Sequence, residues 1–184
     1  MESFALKPSS RQKSVHHEVE LAGCSALIAD SDNTSRSVLA KQLRDFGFNE
    51  IAQHSKIQLA RDMLELKHFD VVLCAQYFGP DSPTGQDLLD DLRRDSLLPF
   101  STVFIMVTAE SSYAKVEQAA ESALDGYLLK PHSAAGLVQR LLAARRRKLE
   151  LADIFEAIEN QHSEKAIALC QQRFDERGTY WLYA

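Results

Sequence analysis

FDVVLCAQYFGPDSPTGQDLL, residues 69–89, decides the fold. After Asp70 its opening is continuously apolar through Ala75, as a strand covered on both faces should be. A polar loop with Gly79, Pro80 and Pro83 follows. The segment TGQDLLDDLRR (84–94) then reads as a helix, with Thr84 placed to cap it. Strand, loop and helix in immediate succession are the start of a β-α-β unit.

The same alternation extends in both directions. Upstream, SALIA (25–29) is a strand and NTSRSVLAKQLRDFGF (33–48) a helix, with Val38, Leu39, Leu43 and Phe46 at helical spacing and Gly47 as its stop. EIAQH (50–54) is a weaker strand, and SKIQLARDMLELK (55–67) a helix with Ser55 as its cap. Downstream, STVFIMVT (101–108) is the richest β run. It is followed by a helix at 111–124, the strand GYLLK (126–130) and a helix at 133–148. Alternation of this kind predicts an α/β fold, a doubly wound parallel sheet of five strands with helices on both faces. In such sheets, sites form beyond the carboxyl ends of the strands. The residues to read are therefore Asp30, Ser31 and Asp32, then Ala75, Thr108 and Lys130.

The chain has 184 residues, enough for one domain with a proper core and a small appendage. It is 45% hydrophobic and 26% charged, which is ordinary globular composition. A net charge of −5 gives no basic field for nucleic acid or an anionic membrane. The three cysteines, Cys24, Cys74 and Cys170, lack ligand spacing and read as reduced thiols. No apolar run approaches the ~18 residues of a membrane span, and the first residues carry no apolar signal segment. A cytoplasmic protein is expected.

The strand ends resemble the receiver domain of bacterial two-component response regulators, over roughly residues 24–146. LIADSDNTSR resembles that family's acidic pair after the first strand, with its following arginine at Arg36; FIMVTAE its hydroxyl motif after the fourth; DGYLLKP its Lys-Pro motif after the fifth. The resemblance implies a flavodoxin-like strand order, 2-1-3-4-5. It also implies a chemistry: an aspartate ending the third strand takes a phosphoryl group from a histidine kinase, with Mg²⁺ neutralising its charge. Carried over by position, Asp30 matches the first acid, Thr108 the switch hydroxyl, Tyr127 the switch aromatic and Lys130 the lysine. The Lys130–Pro131 bond is expected to be cis.

Two positions depart. The second acid is Ser31, and the phosphoacceptor position holds Ala75. A methyl group can neither attack phosphorus nor ligate a metal. The pocket keeps Asp30, Asp32 at its edge, and Lys130, which is near charge balance without an ion. No metal site is expected; Mg²⁺ has a place only if the pocket is functional, and Asp30 would be a weak ligand on its own. Lys130 is expected to pair with Asp30 instead and hold the pocket in one state. Asp32 and Asp81 are poor substitutes for the missing nucleophile, because in-line transfer needs it at about 3–3.5 Å in fixed geometry.

Beyond the receiver, ARRRK (144–148) reads as a solvated helix end with cations at its C-terminus. LADIFEAIENQHSEKAIALCQQRFDERGTYWLYA (151–184) reads as a helical hairpin: Leu151, Ile154, Phe155 and Ile158 form one face, Ala166, Ile167, Cys170 and Phe174 the other. It faintly resembles a tetratricopeptide unit, whose faces need neighbours to cover them. The aromatic end, with Trp181 and Tyr183, suggests that the chain continues or that a second copy covers it.

The expected organisation is thus a leader at 1–22, a receiver domain at 23–148 and a hairpin at 149–184. The expected function is that of a non-enzymatic two-component module that cannot be phosphorylated at the usual position and acts through protein–protein contacts, by its 111–142 face and its helical tail. Its partners would be a histidine kinase or a downstream effector, and a second copy in a homodimer, with neither nucleic acid nor membrane. The alternative is a phosphoryl-accepting receiver whose aspartate is substituted at position 75. Other chemistry is disfavoured: His16 and His17 lack a third ligand, Cys74 lies in an apolar strand, and no phosphate-cradling glycine motif is present.

Overall fold

The computed structural model describes residues 21–109 and 124–176. Five strands form one parallel sheet: β1 (Ser25–Ala29), β2 (Glu50–His54), β3 (Val71–Ala75), β4 (Val103–Thr108) and β5 (Gly126–Leu129). Their order is β2-β1-β3-β4-β5, so the chain reverses its winding at β1 and β3, as the resemblance implied. In the described residues the helices are α1 (Asn33–Asp45), α2 (Ile57–Leu66), α3 (Gly85–Arg94), α4 (Ala134–Glu150), α5 (Ala152–Glu159) and α6 (Ser163–Glu176). The helix expected at 111–124 and the aromatic tail past residue 176 lie outside the described residues, as does most of the leader.

Alternate residues of each strand feed two separate cores. Ala26, Ile28, Leu73, Ile105 and Leu128 meet Leu39 and Leu43 of α1 and Leu137 and Leu141 of α4. Leu27, Val72, Phe104 and Met106 meet Ala60 and Leu64 of α2 and Leu88, Leu89 and Leu92 of α3. Every residue of β3 and β4 is buried, which is why those strands read as unbroken apolar runs.

The ends of the helices follow local chemistry. Asp32 caps α1 by accepting from Thr34 N, and Gly47, at φ +91°, closes it. Thr84 caps α3 in a reciprocal box with Asp87, and Ser133 caps α4. Ser55 does not cap α2: the position falls to Lys56, without a side-chain bond. The folded body also starts earlier than the expected leader boundary, since Leu21 is fully buried in the first core.

The C-terminal helices form a hairpin, α5 against α6. Its buried surface is displaced from the sequence expectation. Leu151, Ile154, Ala157 and Ala166 are buried, whereas Ile158, Ile167 and Phe174 remain exposed. The hairpin is also docked on the receiver. Phe155 stacks on Phe100 with ring centroids 5.7 Å apart, and Glu159 Oε1 accepts from Phe100 N at 2.7 Å. The basic run before it is only partly solvated: Arg147 and Lys148 converge on Asp125 at 2.9 and 3.0 Å, and Lys148 is buried. Its ammonium also lies over the Phe155 ring.

Candidate functional site

At the carboxyl edge of the sheet, Asp30 directly follows β1, β3 ends on Ala75, β4 ends on Thr108 and β5 runs into Lys130. Asp30 is 2% exposed. Its position is fixed through the backbone, with its N–H donating to His54 O at the end of β2 and its carbonyl accepting from Arg36 Nη1. Its carboxylate is fully engaged. Oδ2 accepts from Lys130 Nζ at 2.6 Å and from Ser35 Oγ at 2.7 Å, and Oδ1 accepts from Asp32 N at 2.9 Å. Burying a carboxylate without such a shell would be costly. The expected Asp30–Lys130 pair is therefore present, with Lys130 itself partly open to water.

Ala75 is buried, in register with Val107 of β4. Gln76 N donates to Val107 O, and Gly85 N returns to Gln76 O at 3.0 Å, so the 76–84 loop closes on itself above the strand. A Cβ on Gly85 would come within 2.4 Å of Ala75 O and 2.7 Å of Met106 Sδ. The first residue of α3 thus abuts the phosphoacceptor position, and only glycine leaves room.

Thr108 and Tyr127 are both buried, and Thr108 O accepts from Lys130 N at 2.7 Å. Tyr127 belongs to the second core, opposite Met106 in register. The Lys130–Pro131 bond is cis. Ser31 is exposed, and Asp32 is turned to its capping bond with Thr34 N. The structure thus joins Asp30 with Lys130 and leaves Ser31 and Asp32 at the rim.

Three groups near this edge escaped the sequence reading. Ser35 is one helical turn into α1, and a helix starting at Asn33 could have pointed to it. Gln76 is buried with its Oε1 unpaired, and His132 has a buried Nδ1 without a partner while Nε2 meets Gln42 Oε1 at 3.1 Å. Burial, with the Lys130 charge behind it, holds His132 below the usual imidazole range.

The donor set can be tested for the Mg²⁺ that the family resemblance implies. Position 75 offers a methyl group, Ser31 points to solvent, and Asp30 already accepts an ammonium, a hydroxyl and an amide. A hard dication wants several oxygen ligands with excess negative charge. These residues do not fit it.

A five-stranded parallel sheet of this order, with an acid and a lysine meeting at its carboxyl edge, defines a receiver-type domain of two-component signalling. The chain belongs to the response regulator receiver domain family, whose model matches residues 26–142. It is 34% identical over 115 residues to the chemotaxis protein CheY-3 of Vibrio cholerae, covering 62% of this chain and 86% of that protein. It is 33% identical over 115 residues to the chemotaxis protein CheY of Pseudomonas aeruginosa, covering 62% and 90%. Among solved structures, chemotaxis protein CheY4 of Vibrio cholerae matches with a TM-score of 0.57 at 27% identity, covering 67% of this chain and 99% of that one. Among the described residues, no helix is long and apolar enough to cross a membrane.

Proposed function

We propose that this chain is a receiver-type signalling module that does not take a phosphoryl group at position 75 and works by protein–protein contact rather than catalysis. The observation that carries the reading is Lys130 Nζ at 2.6 Å from Asp30 Oδ2, beside a residue with no nucleophilic atom. In a phosphoryl-accepting pocket the lysine serves the incoming phosphoryl oxygens. Here its charge is neutralised within the chain, and the carboxylate that would help hold a cation is consumed by the same contact. The signalling state is then set by binding, not by phosphate.

The partners are proteins of a bacterial pathway, a histidine kinase or a downstream effector, in the cytoplasm. The docked hairpin supports this reading. Ile167 and Phe174 stay exposed on α6 at 68% and 56%, which is the kind of apolar surface that marks partner or self-association sites. A tetratricopeptide-like hairpin used in that way, in a homodimer, is consistent with those faces.

A second reading treats the scaffold as a working receiver whose aspartate is substituted. The burial of Thr108 and Tyr127 and the placement of Lys130 favour it, because those positions match the family's switch residues. Titration with Mg²⁺ and beryllofluoride, followed by NMR shifts, tests the main proposal. We expect no saturable change near Asp30 in the chain as it stands. Saturable binding at millimolar or lower concentration would reject it.

A further inference from the structure

A cleft of about 250 Å³ lies at the amino-terminal edge of the sheet, on the opposite side of the molecule from Asp30 and Lys130. That size is just below the usual range of small-ligand sites, about 300–1,000 Å³, and suits a compact ligand. Phe69 and Val103 wall it from the sheet side; Arg145, Lys148 and Leu149 from the last turns of α4; Ala152 from the start of α5. Junctions between a domain and its appendage are common places for such sites.

The charges lining the cleft are unevenly matched. Lys148 is held by Asp125 at 3.0 Å. Asp70 accepts from Ser25, whose N and Oγ both donate to its Oδ2, at 2.8 and 2.9 Å, neutral donors rather than a cation. Among the described residues, Arg145 has no carboxylate partner, and the one polar contact of its half-buried guanidinium is the Cys24 sulfur. Burial pushes that thiol up, so the sulfur is a neutral, weak acceptor. A guanidinium offers five donors in a planar fork suited to a carboxylate. The site therefore presents a guanidinium with no carboxylate bonded to it among the described residues, next to an apolar wall.

We propose that this cleft binds a small carboxylic acid with a compact apolar body, its carboxylate in a forked pair with Arg145 and its body against Leu149, Phe69 and Val103. The bound acid touches both the sheet edge and the α4–α5 corner, so it ties the hairpin to the receiver. This effector site stands independently of the state of position 75.

Calorimetric titration of the full chain with 4-methylpentanoate tests the proposal, with inorganic phosphate as the comparison anion. We expect one saturable site for the acid and binding of phosphate at least tenfold weaker, for want of an apolar body. Arg145→Lys keeps the charge but loses the fork, and should weaken the acid at least tenfold. Ala152→Trp fills the cleft from an exposed position and should abolish binding, with circular dichroism confirming that both variants fold. Absence of saturable binding by the folded chain, equal affinity in both variants, or tighter binding of phosphate than of the acid would each overturn the assignment.

Discussion

Among the described residues, Lys130 is the one cation bonded to the Asp30 carboxylate, which is 3% exposed. Breaking a fully buried pair costs about 3–5 kcal/mol. The Lys130 side chain is 26% exposed, so water screens part of the loss. Lys130→Met should therefore destabilise by about 1–3 kcal/mol, read as a lower urea midpoint. Gly85→Ala should cost about 1–3 kcal/mol or more by the same assay, because its methyl would press on backbone rather than on a flexible side chain. His132 gives a pH signature. Its folded value is lowered, so as pH falls the unfolded chain takes up the proton first. Stability is then full above about pH 6.5 and declines as pH drops through the folded value. His132→Gln should flatten that decline in pH-dependent melts. At this scale the positions of Asp30, Thr108 and Lys130 at the carboxyl edge were legible because motif and strand end coincide, and that of Tyr127 because it lies inside the same β5 motif. Ser35 was not singled out, although its place in the first turn of α1 offered a signal, and Gln76 was not, since nothing in its neighbours marks a buried polar side chain.

Helix ends carried clear signals where the side chain and the backbone agreed. Thr84 caps α3 as its sequence indicated, and Asp87 three residues on closes a reciprocal box with it. Thr84→Ala should lower stability by about 1 kcal/mol in chemical denaturation. Ser55 advertised a cap that was not used, because α2 starts two residues later at Ile57. The basic run of α4 was misread for a different reason. Its counter-charge, Asp125, lies 22 residues before Arg147, and only the sheet brings them together. Asp125 also accepts from Phe104 N at 2.8 Å, so it links β4 to the end of α4. The displaced buried face of the hairpin has a similar cause. Helical spacing identified apolar residues but not which of them α4 and the Phe100 loop would cover.

The pocket and the cleft lie at opposite ends of the sheet. The carboxyl edge carries the paired pocket, and the amino edge carries the docked hairpin and its cleft. The α/β class and parallel sheet were readable from alternation, because strands buried on both faces leave unbroken apolar runs between amphipathic helices, whereas the strand order came from the family resemblance. The docking was not readable, because Phe100 and Phe155 meet only after the fold has formed. If that stack holds the hairpin in place, Phe155→Ala should speed amide hydrogen exchange across 152–176 and leave β3 and β4 protected. The central claim concerns the other end, where Ala75 stands in place of a nucleophile. It is tested most directly by intact mass after incubation with Mg²⁺ and a small phosphodonor such as acetyl phosphate. The account predicts an unchanged mass. A gain of one phosphoryl group on a base-labile linkage, at a rate comparable to aspartate-bearing receivers, would contradict it.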